Sequence, residues 1–138
     1  MVYQVKQTQQ KRRLVPVLVE GEAKSGEEAN KVASKYRQCP YVSFIATEGN
    51  RVFFTYALPK EQRWWLGEIE KEPKKHMGLE GVKVTYPERL YRPRVMRVRY
   101  PRRLAEASFC DLGSGFTCDR CPGYSVCLGC PGTTFHKR

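Results

Sequence analysis

Little in this chain speaks of catalysis. Among 138 residues there are two histidines, His76 and His136, and two aspartates, Asp111 and Asp119. Neither histidine belongs to an H-E-x-x-H helix or to an evident nucleophile triad. No G-x-x-x-x-G-K-[ST] loop or G-x-G-x-x-G turn is present. The Gly-rich stretch 112–116 leads into a cysteine-rich tail rather than following a strand. These absences predict a protein that is not an enzyme and takes no small-molecule substrate. No apolar run approaches the roughly 18 residues of a membrane span, so no membrane association is expected. The opening residues, MVYQVKQTQQKRR, lack the apolar core of a secretory signal, so a cytoplasmic location is expected. In that compartment the six cysteines are expected as thiols or metal ligands rather than as a disulfide framework.

Positive charge is in excess. Lys and Arg number 25 against 14 Asp and Glu, a formal net charge of +11. Such a balance points to an anionic partner, nucleic acid first and an acidic protein surface second; a merely basic, solvated surface is the plainer reading. At 41% hydrophobic and 12% aromatic the chain can bury a core. Its length suits one domain plus a small appendage.

Four segments are distinguished: a basic arm (1–13), a folded body (14–86), an Arg-rich extended strap (87–104) and a cysteine module (105–138). In the body, residues 14–20 (LVPVLVE) read as a strand, with Pro16 calling for an edge position or a bulge. Ser25 is a candidate N-cap. Glu27 and Glu28 suit a first helical turn, and Ala29, Val32, Ala33 and Tyr36 recur at helical spacing through 37. Residues 41–47 and 51–57 flank Glu48-Gly49-Asn50 and read as a hairpin. Pro59 suits the first position of a helix whose apolar side is Trp64, Trp65 and Ile69. Trp64 and Trp65, adjacent on a helix, diverge by about 100°, so one is expected to face outward. Pro73 ends that helix, a basic loop follows, and 82–86 is a last strand. Strand, helix, strand, strand, helix, strand is the split βαβ order. The expected fold is an α+β, ferredoxin-like βαββαβ sandwich, followed by the strap and a small four-cysteine tail.

The most specific pattern is in the tail. Cys118-Asp-Arg-Cys121-Pro-Gly is answered by Cys127-Leu-Gly-Cys130-Pro-Gly, a C-x2-C-x5-C-x2-C spacing made of one repeated unit. Each C-x-x-C turn brings two thiolates to one side of a tight bend. Four thiolates on tetrahedral zinc would form a closed structural site, supplying folding energy to a tail too poor in apolar residues for its own core. Cys118, Cys121, Cys127 and Cys130 are therefore the expected metal ligands, with zinc as the metal. A [4Fe–4S] cluster, which also takes four thiolates, is the alternative, although the spacing matches neither common ferredoxin run. Disulfides or plain thiols are the remaining reading. Over about thirteen residues the spacing resembles part of the ZZ-type zinc fingers, in which the two pairs serve different zincs. Cys110 and His136 lie close enough in sequence to join such a site; a buried small side chain and a solvated tail residue are their plainer readings. Cys39 is expected to pack in the core.

The strap reads ERLYRPRVMRVRYPRR over 88–103. Arg89, Arg92, Arg94, Arg97, Arg99, Arg102 and Arg103 suit bidentate contacts to phosphate, with Tyr91, Met96 and Tyr100 interleaved among them. The competing reading pairs these arginines with Glu61, Glu68, Glu70 and Glu72. The βαββαβ order also resembles the architecture of the RNA-recognition motif domain. In that family a strand pattern places aromatics on the sheet; here residues 51–57 (RVFFTYA) keep Arg51, Phe54 and Tyr56 of such a pattern but neither of its glycines. Together these features predict a basic, metal-binding accessory protein that docks on RNA or a ribonucleoprotein. The alternative is a small iron–sulfur subunit of an anaerobic redox complex, its basic strap docking a larger partner subunit.

Overall fold

The computed structural model of the chain describes residues 14–37, 39–93, 98, 106, 118–130 and 133–137. Strand β1 (Leu14–Glu22) alternates with period two. Val15, Val17 and Val19 are buried, whereas Leu18, Glu20 and Glu22 are exposed. Ser25 then caps helix α1 (Gly26–Tyr36), its hydroxyl accepting from the Glu28 N–H at 3.2 Å. Glu27 and Glu28 sit in the first turn, where negative charge complements the exposed N–H groups. Ala29, Val32 and Tyr36 form the buried stripe of α1. Strands β2 (Val42–Glu48) and β3 (Arg51–Pro59) turn at Gly49, whose φ of 58° suits a residue without Cβ. A 3-10 turn (Lys60–Gln62) leads into helix α2 (Arg63–Lys71), with Trp65, Leu66 and Ile69 buried. A short helix α3 (Pro73–Met77) and strand β4 (Gly81–Thr85) complete the body.

The four strands form one antiparallel sheet in the order β2-β3-β1-β4. The result is an α+β fold with two main helices over one face of the sheet. Val17 and Val19 of β1 and Val52, Phe54, Tyr56 and Leu58 of β3 meet the stripes of α1 and α2 in a single core. Its spine is aromatic. Tyr36 meets Phe54 edge-on at 5.8 Å, Phe54 stacks on Tyr56 at 5.8 Å, and Tyr56 meets Trp65 edge-on at 5.7 Å. The outer edge of β4 is partly covered, because Glu70 of α2 accepts the Val84 N–H at 2.9 Å. No helix among the described residues is long and apolar enough to cross a membrane.

Three local expectations are changed. The first concerns Pro16, which lies in a central strand rather than an edge strand. β4 pairs β1 only over Leu18–Glu22, so Pro16 sits in the half of the strand that has β3 alone as neighbour. The irregularity falls instead in β2, between Val42 and Phe44. Next, Pro59 ends β3 opposite Leu14 and at the same time caps the 3-10 turn Lys60–Gln62, so helical structure starts there but α2 itself starts four residues later. Finally, Pro73 stops α2 but also starts α3, since a proline fits a first helical position. Gly78, at φ 72°, ends that short helix.

Candidate metal centre and basic segment

All four predicted ligand cysteines lie among the described residues. Cys118 begins a 3-10 turn (Cys118–Arg120) and is 7% exposed, and the Cys121 N–H closes the turn on the Cys118 carbonyl at 3.0 Å. A second 3-10 turn (Pro122–Ser125) follows at once. In the second half the Gly129 N–H donates to Cys127 Sγ at 3.4 Å, across the two residues of the C-x-x-C bend. Gly129 has φ 80°, and a Cβ there would stand 2.4 Å from the Phe135 carbonyl oxygen. The bend therefore needs glycine for its conformation and for its clearance. The chain end is folded back over it. The Lys137 N–H reaches the Leu128 carbonyl at 2.7 Å, and His136 Nδ1 lies 3.4 Å from the Gly129 carbonyl.

Tyr124 ties the two halves together. Its hydroxyl donates to the Phe135 carbonyl at 2.5 Å, and the Lys137 ammonium sits 4.2 Å from its ring centre while bonding to its carbonyl. Burial pushes the Tyr124 hydroxyl above its ordinary pKa, and negative charge at Cys118, Asp119 and Cys127 pushes the same way. One cysteine of each pair thus acts on the same phenol. Cys118, Cys121, Cys127 and Cys130 are all thiols. Among the described residues no group of three His, Cys, Asp or Glu side chains is drawn together as a metal site. Cys110 lies outside the described residues, and Cys39 packs against the body core.

The body holds this module through a residue that sequence reasoning missed. Gln62, 4% exposed, donates from Nε2 to Cys127 Sγ at 2.9 Å and accepts at Oε1 from the Leu128 N–H at 3.2 Å. Both ends of one buried amide are spent on the cysteine bend. Beside it, Gly123 lies so close to Trp64 that a Cβ would stand 2.8 Å from the indole. Trp65 enters the core, and Trp64, the diverging neighbour, faces the module instead of solvent. Gln62→Ala should leave the Leu128 N–H without its acceptor and Cys127 Sγ without one of its two donors, loosening the module by about 1–3 kcal/mol. Amide exchange at Leu128 and the reactivity of Cys127 toward a thiol reagent should both rise, with the sheet amides unchanged.

Of the strap arginines, Arg89 and Arg92 are described and both are exposed. Arg94, Arg97, Arg99, Arg102 and Arg103 lie outside the described residues. Of the four carboxylates expected to compete for them, three have local partners: Glu68 with Lys71 at 3.6 Å, Glu72 with Lys75 at 3.7 Å, and Glu70 with the Val84 N–H. The strap is anchored on the helix side of the sheet. Arg63 of α2 stacks 5.0 Å from the Tyr86 ring centre, and Val98, 5% exposed, belongs to the core cluster. Burial raises the Tyr86 pKa, Arg63 works against that shift and Glu70 adds to it. The sheet aromatics divide by face. Phe54 and Tyr56 are in the core, while Phe53 is on the opposite face with the Arg51 guanidinium 5.2 Å from its ring centre.

No family model and no curated protein matches the chain. Among solved structures it is similar to the one described as the crystal structure of PH0061, with 18% identity and a TM-score of 0.46. That match covers 63% of this chain and 58% of the other, so the chain spans less than two thirds of the protein it matches.

Proposed function

We propose that this chain is a non-enzymatic, basic accessory protein of the cytoplasm. Its ferredoxin-like body carries a zinc-stabilised cysteine tail and docks on RNA or a ribonucleoprotein. The observation that carries the tail reading is the pair of N–H donors, from Gly129 and Gln62, directed at Cys127 Sγ. Donors of this kind favour a thiolate, the form that binds metal. Cys118, Cys121, Cys127 and Cys130 would hold zinc as a closed site, with no position left open for catalysis. The strap arginines Arg89, Arg92, Arg94, Arg97, Arg99, Arg102 and Arg103 would contact phosphates. The net charge of +11 and the local engagement of Glu68, Glu70 and Glu72 support that role. The alternative is a [4Fe–4S] cluster on the same cysteines, in a subunit that docks a larger redox partner through the same strap.

Elemental analysis and an absorbance spectrum of anaerobically purified protein decide the metal. One zinc per chain without visible absorption is the expected result; iron with acid-labile sulfide gives the cluster instead. RNA docking should weaken steeply with added salt, and replacing Arg97, Arg99, Arg102 and Arg103 together should flatten that dependence by about four phosphate contacts. An unchanged slope would remove the strap from the interface.

A further inference from the structure

The face of the sheet turned away from the helices is apolar at its centre. Leu18 of β1, Phe44 and Ala46 of β2, and Phe53 and Thr55 of β3 line a shallow pocket of about 330 Å³. Leu18 is 42% exposed and Phe44 57%, in contrast to the sealed core on the other side. The charge around this pocket runs against that of the chain. Glu20, Glu22 and Glu48 are exposed on the same face. Arg51, which also points there, is committed to Glu20 at 3.9 Å and to the Phe53 ring. Lys83 on β4 is the other cation of this face among the described residues. With Glu20 and Arg51 offsetting each other, Glu22 and Glu48 against Lys83 leave one negative charge in excess, which disfavours phosphate and suits a basic segment carrying large apolar side chains.

The chain itself carries such a segment. Residues 86–92 (YPERLYR) expose Leu90 at 37% and Tyr91 at 80% between Arg89 and Arg92, preceded by Tyr86 at 40% and by the exposed Glu88, so two arginines outweigh one glutamate. The segment does not reach its own pocket, because Tyr86 lies beside Arg63 of α2 and Val98 enters the core, both on the helix side. We infer that the pocket receives residues 86–92 of a second copy of the chain. Two copies exchange these contacts reciprocally about a two-fold axis, so each supplies one acid-rimmed groove and one basic, aromatic segment. The exchange buries Phe44, Leu18, Leu90 and Tyr91, four of the six large apolar side chains left exposed among the described residues; Tyr86 and Val126 are the other two. The exchange does not depend on what the cysteine module holds, and it assigns Arg89 and Arg92 to the partner copy, leaving the phosphate role to Arg94, Arg97, Arg99, Arg102 and Arg103.

Complementation tests this arrangement, using sedimentation velocity of the full chain across the micromolar range after nuclease treatment. The intact protein should be a dimer. Phe44→Ser, which spoils the groove, and Tyr91→Ser, which spoils the segment, should each weaken association by at least about tenfold. Both positions are exposed, so the melting temperatures should stay close to the parent value. An equimolar mixture of the two variants keeps one intact groove and one intact segment in its mixed pairs, and should associate more tightly than either variant alone. Three results would overturn the inference: a monomer throughout the range, association lost with nuclease, or a dimer weakened by Phe44→Ser alone with no recovery on mixing. The last would mean that the two sheet faces pack directly on each other.

Discussion

Phe54→Ala should cost the body about 3–5 kcal/mol of stability, a large part of what a domain of this size holds. Phe54 is 2% exposed and is the middle ring of the aromatic spine, touching Tyr36 on one side and Tyr56 on the other. It stands opposite Val19 of β1 and Ile45 of β2, so its removal opens a cavity where three strands and α1 converge. The neighbours have little freedom to collapse into it. Tyr36 is held by α1, and Tyr56 is backed by Trp65. Urea unfolding followed by far-ultraviolet circular dichroism measures the loss. Phe53→Ala, one residue earlier and on the outer face, should cost under about 1 kcal/mol. Equal losses at the two positions would mean that the faces of β3 have been assigned wrongly.

Gly129→Ala should be the most damaging single change in the tail. A Cβ in the left-handed region costs about 1–2 kcal/mol. Here it would also stand 2.4 Å from a backbone oxygen, a neighbour that has no side-chain rotation with which to yield. Relief requires 133–137 to move off the bend, and overpacking of this kind costs about 1–3 kcal/mol more. The Lys137 to Leu128 and His136 to Gly129 contacts should open together. Hydrogen exchange at Lys137 should accelerate by at least tenfold, roughly the factor that 1.4 kcal/mol implies. Affinity for the proposed zinc, measured by competition with a chromogenic chelator, should fall in parallel. The sheet amides, and the unfolding midpoint of the body, should be unaffected; a global loss of stability would show that tail and body unfold as one unit.

The strand and helix order was legible because alternation and helical spacing are strong along this chain. Val15, Val17 and Val19 repeat every second residue, and Ala29, Val32 and Tyr36 share one helical side. Ser25 followed by two glutamates marked the start of α1 correctly. Proline was the less dependable signal. Pro59 is equally acceptable at the end of a strand and at the start of a helix, and here it serves as both, which the sequence pattern alone does not reveal. Phe53 and Phe54 are chemically alike, and only their neighbours, polar Arg51 and Thr55 against Val52 and Tyr56, indicate which ring meets the core. The cysteine turns were legible as a repeat. Their attachment to the body was not, because Gln62 belongs to no motif. Its role rests on two hydrogen bonds to residues 65 and 66 positions away, which no local pattern encodes.

β1 stands at the centre of the sheet although it leads the described body, and its two neighbours are the third and fourth strands. A ribosome delivers this strand first and its partners much later: β3 at 51–59 and β4 at 81–85. Until the nascent chain has passed Thr85, Leu14–Glu22 has an apolar side and at least one open row of backbone donors and acceptors. The intervening α1 can form by itself in that interval, but it has no completed surface to lie on. Synthesis rate and chaperone supply should therefore influence the yield of this protein more than they would for a fold whose first strand pairs with its second.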